Sequence, residues 1–191
     1  ELQRLLAPAQ AGQPIVAVPG AGTNVPIWLL GSSLFSAQLA AYLGLPYAFA
    51  SHFAPRMLHQ ALAIYRQTFK PSAALAKPYA IVGVPVIAAP TDAEAQFLAS
   101  STYQRVLGIL TGNRTRLQPP VEGFMEQVSE RERAAIADFL AVGIIGGPQT
   151  VRAGLQALAQ ATQADEFMLV SDVFDADLRL RSLQLTAQAM V

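Results

Sequence analysis

Apolar residues in this chain form short continuous blocks that alternate with longer amphipathic stretches. Blocks of this length and continuity are typical of parallel strands that are covered on both faces. The predicted strands are 26–30, 47–51, 79–89, 142–145 and 166–171. Strands that alternate with crossover helices predict a parallel α/β protein.

Residues suited to helix ends separate these blocks. Gly44 can adopt the left-handed conformation that ends a helix, while Thr91 with Glu94, and the segment that starts at Ser129, have the spacing of a capping box. The predicted helices are 34–44, 56–69, 91–110, 129–140, 149–160 and 175–190, and residues 1–7 are predicted to be the tail of another helix. The stretches 8–25 and 112–128 show no period and are predicted to be irregular.

Three residues in the predicted strands allow specific structural predictions. Pro85 interrupts the longest apolar block, which predicts a bulge or a strand edge there. Trp28 and Phe49 lie on apolar strands and are predicted to be core residues.

The segment 26–54, PIWLLGSSLFSAQLAAYLGLPYAFASHFA, contains the pattern P-x-W-x-L-G-S-S…A-A-x-L-G-L-P-Y-x-F-A-S-H-F. This pattern closely resembles the bacterial luciferase-like flavin-dependent monooxygenases. The resemblance continues through 78–89, 91–95, 119–120, 146–148 and 166–182. It implies the second half, about four βα units, of a (β/α)₈ TIM barrel. We therefore expect residues 1–191 to form a single partial domain, and we do not expect Glu1 to be a natural start.

Length and composition agree with this interpretation. An intact barrel of this type needs about 250 residues, and this chain has 191. With 52% hydrophobic residues and a formal net charge of zero, the chain has no electrostatic footprint for nucleic acid or an anionic membrane. It contains no cysteine, which excludes disulfides and thiolate metal sites. No membrane span or secretory leader is recognisable, so we expect a cytoplasmic location.

The strongest chemical candidate is the turn at Gly31, Ser32 and Ser33, followed by Ser36. A helix that starts at the carboxyl end of a strand directs free N–H groups toward the functional rim of a barrel, where a phosphate can bind. Spacing alone favours a helix cap at Ser33. The resemblance instead implies that Ser33 holds a flavin phosphate, with Gly31, Ser32 and Ser36 beside it.

His52 follows the next strand and lies on the same predicted rim. With an ordinary pKa of about 6.5 it could act as a general acid or base, or it could simply bond to backbone. Phe53 could touch a flavin ring or substrate. His52 and His59 alone satisfy no metal shell, so no metal site is predicted.

Two other features favour structural roles. Gly146-Gly147-Pro148 is interpreted as a turn that starts a helix, since it lacks dinucleotide-binding spacing. Asp172 follows the last strand and could face the rim, but capping of the final helix is favoured.

Two hypotheses about function remain open. In the first, the chain is part of an enzyme that uses reduced FMN and O₂ to oxygenate a small organic substrate, with a separate flavin reductase as a possible partner. The deazaflavin F420 is the alternative cofactor. In the second, the chain is a non-catalytic half-barrel or assembly module. Its unpaired sheet edges would be covered by a second copy or by a missing N-terminal half. On either hypothesis, this chain alone is not expected to catalyse the reaction.

Overall fold

The computed structural model describes residues 1–190, and within them the strands form a parallel sheet. The strands are β1 (Leu29–Gly31), β2 (Tyr47–Phe49), β3 (Ala80–Ala88), β4 (Ile144–Gly146) and β5 (Glu166–Val170). The long strand β3 pairs with β2, with β5 through its middle, and with β4 only through its last three residues. All these pairings are parallel, as is that of β1 with β2, so the predicted α/β class is confirmed.

Helices connect the strands close to the predicted positions. They are α1 (Leu2–Leu6), α2 (Leu34–Leu43), α3 (Leu58–Thr68), α4 (Asp92–Leu110), α5 (Phe124–Gln127), α6 (Glu130–Phe139), α7 (Pro148–Thr162) and α8 (Ala176–Ala189), with a 3₁₀ turn at Pro55–Met57. Gly44 ends α2 with φ 61°, and Ser129 forms the complete capping box before α6. Thr91 accepts from the Glu94 amide, but the reciprocal bond is not formed. The short helix α5 lies in the stretch that was predicted to be irregular.

One face of the sheet is covered by α2, α3, α7 and α8. Tyr47, Phe49 and Val82 are fully buried there against Leu62 and Tyr65. Side chains alternate along strands, so this face takes every second residue of β2 and β3. It forms the larger hydrophobic core of the protein.

The opposite face is left open toward the amino ends of the strands. The register aligns Leu30 with Ala48 and Gly83 with Met168, and 67% of Leu30 and 60% of Met168 are exposed. Only near the carboxyl end does a second core cluster, built around α4 and α6, cover β3 at Ile87. The sheet is therefore covered by helices on one face and largely open on the other.

One prediction for a strand residue is wrong. Trp28 is 39% exposed and packs edge-on against Tyr79, so it is not a core residue, whereas the core assignment of Phe49 is confirmed. At Pro85, where a bulge or a strand edge was predicted, β3 continues and its strand partners change. Pro85 is the last β3 residue paired with β5, and Val86 is the first paired with β4.

None of the helices formed by residues 1–190 combines the length and apolarity needed to cross a membrane.

Candidate functional site at the carboxyl ends of the strands

The turn between β1 and α2 is organised by two serines. The Ser33 hydroxyl accepts from the Ser36 amide at 3.2 Å, and the Ser33 amide donates to the Ser36 hydroxyl at 3.3 Å. This reciprocal pair is a capping box formed with serine at both positions. The capping role that spacing favoured for Ser33 is therefore confirmed, and it leaves the predicted phosphate role untested.

Ser36 is also tied to the next strand. Its hydroxyl donates to the Ser33 carbonyl at 2.7 Å and lies 2.9 Å from the Tyr47 hydroxyl. Burial raises the pKa of Tyr47, and the hydrogen bond with Ser36 opposes part of that rise. A Cβ at Gly31 would overlap the Ser36 side chain, so only glycine permits this close packing.

Donors remain available at this turn for an anion. Among residues 1–190 there is no acceptor for the amides of Leu34 and Phe35, the first two residues of α2. The Ser33 side chain is exposed, and Ser32 lines a cavity of about 450 Å³ beside Phe53 and Arg56. The Ser33 hydroxyl already donates to Ser36 Oγ at 3.3 Å, so the two free amides and the Ser32 hydroxyl are the donors that fit a phosphate group at this ten-residue helix.

His52 lies against the open face of the sheet. A Cβ at Gly83 would stand 2.5 Å from His52 Nδ1, so the ring occupies the space that glycine leaves. The ring also packs edge-on against Phe53, with 5.0 Å between centroids. Nδ1 is buried and has no hydrogen-bond partner in the described chain, so this atom does not make the backbone bond that a purely structural His52 would be expected to make.

The charges around His52 come from a helix and a strand end. Burial lowers the pKa of His52; the Asp172 carboxylate raises this pKa and the Arg105 guanidinium lowers it. Burial has the largest effect, which favours the neutral imidazole. His52 therefore has the protonation state of a group that can accept a proton near neutral pH.

Asp172 does not cap the final helix. The N-cap of α8 is Asp175, which accepts from the amides of Asp177 and Leu178 at 3.0 and 2.9 Å. Asp172 instead pairs with Arg105 of α4 at 2.6 Å, and its carbonyl accepts from the Thr102 hydroxyl of the same helix at 3.2 Å. The favoured capping role is thus wrong for Asp172. Arg105 was missed because no sequence spacing connects it to residue 172.

Four buried polar atoms have no partner among residues 1–190. They are His52 Nδ1, Ser101 Oγ, Arg105 Nε and Ser171 Oγ. Ser101 and Arg105 are one helical turn apart on α4, while Ser171 adjoins Asp172 directly after β5. Unsatisfied buried polar groups are few in native proteins, so their concentration at the ends of β2 and β5 marks this rim as the candidate site.

Phe53 separates two cavities at this rim. One is the cavity that Ser32 lines, and the other, of about 520 Å³, also contains Arg105 and Arg114. The Phe53 side chain is half exposed. It lies between the serine turn on one side and Arg105 and Arg114 on the other, where it can contact a bound ligand.

The glycine-rich turn at 146–148 has a structural role, as expected. Pro148 begins α7, and the Gly147 amide donates to Asp92 at 2.6 Å. That hydrogen bond lowers the pKa of Asp92. The carboxylate occupies the helix terminus where an external anion would otherwise bind.

No group of three or more His, Cys, Asp or Glu side chains within residues 1–190 is arranged to hold a metal ion. His59 is exposed near the start of α3 and lines neither rim cavity.

Comparison with known proteins identifies the family. The sequence model of the luciferase-like monooxygenases matches residues 6–165, and the chain belongs to this family. The Bacillus subtilis protein YvbT is 49% identical over 171 residues, which cover 90% of this chain and 51% of YvbT. A luciferase-like monooxygenase of Escherichia coli K12 is 48% identical over 168 residues, covering 88% of this chain and 50% of that protein. The chain thus spans about half the length of these curated relatives.

Solved structures agree on the fold. Apo-MsnO8 shares 33% identity with a TM-score of 0.74, over 93% of this chain and 55% of that chain. Two distant structures show the fold alone. The first is the FMN complex of the oxygenating constituent of 3,6-diketocamphane monooxygenase from Pseudomonas putida, with 18% identity and a TM-score of 0.54 over 90% of this chain and 51% of that chain. The second is an F420-dependent secondary alcohol dehydrogenase with an F420-acetone adduct, with 12% identity and a TM-score of 0.59 over 93% of this chain and 52% of that chain.

Proposed function

We propose that this chain is the second half of an FMN-dependent monooxygenase that uses reduced flavin and O₂ to oxygenate a small organic substrate. Family membership and the half-length match support this proposal. The observation that carries it is the β1–α2 turn, where a required glycine, exposed Ser33 and two free amides meet beside a cavity.

Each rim residue has a role in this proposal. Ser32, Ser33 and the Leu34 and Phe35 amides hold the phosphate, while Gly31 and Ser36 keep the turn closely packed. Phe53 borders the flavin and substrate space. His52, held neutral by burial, accepts or returns a proton at its nitrogen. The bound flavin supplies the electrons and the reaction with O₂, which no side chain can supply.

The rest of the enzyme must come from outside residues 1–190. A barrel interior is closed on all sides, whereas Leu30 and Met168 are exposed on the open face. We propose that an N-terminal half, or a second copy, covers this face, and that a separate reductase supplies reduced flavin. FMN is preferred over F420 because the relatives of known description are named as monooxygenases.

The test compares FMN with riboflavin, which lacks the phosphate, by fluorescence titration of the 191-residue chain. We expect FMN to bind about tenfold more tightly, the effect of one or two hydrogen bonds to a charged group. Ser33→Ala should reduce this preference, because it removes one of the groups that hold the phosphate. Equal affinity for FMN and riboflavin in the unaltered chain contradicts the phosphate site.

Ser129→Ala is the matched control, since Ser129 is also the N-cap of a complete capping box but begins α6. Both substitutions should cost about 1 kcal/mol of stability, and only Ser33→Ala should change FMN affinity. Titration with F420 distinguishes the alternative cofactor. A colourless chain that associates and ignores every flavin supports the non-catalytic half-barrel instead.

A further inference from the structure

The cavity beside α4 differs chemically from the one beside the serine turn. It encloses about 520 Å³ and is lined by Phe53, Arg105, Ile109, Arg114, Thr115 and Phe139. Its walls are thus largely aromatic and aliphatic, and all its charged lining residues are arginines.

The charge balance of this cavity is positive. Arg105 is paired with Asp172, whereas Arg114 takes part in no ion pair within residues 1–190. In the neighbouring cavity Arg56 is neutralised by Asp138, with 2.7 Å between the charged atoms. Of these two cavities, the one beside α4 therefore retains an uncompensated guanidinium.

Arg105 lines the same cavity. Its guanidinium contacts Asp172, while its buried Nε has no hydrogen-bond partner in the described chain. A guanidinium presents its donors in a planar fork that matches a carboxylate. A carboxylate between Arg105 and Arg114 would supply the negative charge that Arg114 lacks.

We propose that this cavity binds an organic carboxylate with a flat apolar body, its acid group on Arg105 and Arg114 and its body against Phe53 and Phe139. The inference rests on the proposed function only in identifying this ligand as the substrate. It makes Arg114, in the stretch between α4 and α5, a specificity-determining residue.

The test uses 2-naphthoate and its neutral counterpart 2-naphthamide, titrated calorimetrically into the 191-residue chain. We expect naphthoate to bind about tenfold more tightly, as for a hydrogen-bonded charged group. Arg114→Ala should remove that preference while leaving naphthamide affinity unchanged. Arg116→Ala removes another exposed arginine two residues away and should leave both affinities unchanged.

Equal affinity for the two ligands, binding of neither, or the same loss in both arginine variants would overturn the inference. FMN and riboflavin titrations of the same samples separate it from the proposed function. Arg114→Ala should retain the FMN preference. If that preference is lost, the cavity binds the flavin phosphate and the inference fails while the flavin proposal stands. If the chain selects naphthoate but binds no flavin, the carboxylate site stands and the flavin proposal fails.

Discussion

The two faces of the sheet are formed by the same strands but differ in burial and in the hydrogen bonding of their polar side chains. On the face covered by α2, α3, α7 and α8, Tyr47 and Phe49 are fully buried in a continuous core. On the other face Leu30 and Met168 are exposed, while His52 fills the space above Gly83. Unpartnered polar atoms gather at the carboxyl end of this second face.

Residues on the covered face therefore contribute to stability, whereas the residues available for chemistry lie on the open face. A strand directs successive side chains to opposite faces. Tyr47 and Phe49 of β2 are buried in the core, whereas His52, beyond the end of that strand, lies against the open face. The open face has neither its full set of neighbours nor partners for its polar groups, which is expected of a barrel interior that lacks its other half.

The largest expected contrast is between Leu62→Ala and Leu30→Ala. Leu62 is 2% exposed and Leu30 is 67% exposed, so the same truncation is made on opposite faces. Leu62→Ala should cost about 2–5 kcal/mol through lost burial and a cavity. Leu30→Ala should change stability by about 0.5 kcal/mol or less. Urea unfolding measures both, and a similar cost for the two would remove the distinction between the faces.

Gly83→Ala tests how His52 is held. A Cβ there would overlap His52 Nδ1, so we expect a loss of about 1–3 kcal/mol from overpacking. Displacement of the ring into water should raise the pKa of His52 toward its ordinary value, which NMR titration would detect. In a His52→Ala background Gly83→Ala should cost much less. An equal cost in both backgrounds would show that the ring does not occupy this space.

A smaller effect concerns pH. The pKa of His52 is lowered in the folded protein, chiefly by burial, so the unfolded chain binds this proton first. Stability should therefore fall as pH drops from about 6.5 toward the lower folded pKa. His52→Gln should flatten this part of the profile. Asp92 and Glu132, whose pKa values are lowered, affect stability only at more acidic pH. Identical slopes between pH 7 and 5 in the two proteins would contradict the assignment.

Much of the fold follows from local pattern. The continuous apolar blocks predicted the strands, and Gly44 and Ser129 marked helix ends correctly, because caps depend on nearby residues only. Trp28 was misplaced because an apolar strand residue at an open edge is indistinguishable in sequence from a buried one. Burial there depends on what covers the face.

The candidate site was predictable only in part. The Gly31–Ser36 turn and His52 each adjoin a recognisable strand end, so the sequence could indicate them. Arg105 reaches the rim through the packing of α4, and its pairing with Asp172 joins residues 67 positions apart. Such a contact depends on the tertiary fold, so no pattern of residue spacing in the sequence predicts it.

The sheet is covered on one face, and we infer that its other face requires a partner surface. Light scattering of the 191-residue chain over a wide concentration range tests this most directly. We predict a mass that rises above the 20.3 kDa of one chain and falls back toward it in Leu30→Lys, which places a charge on the open face. A single 20.3 kDa species at every concentration would contradict the claim.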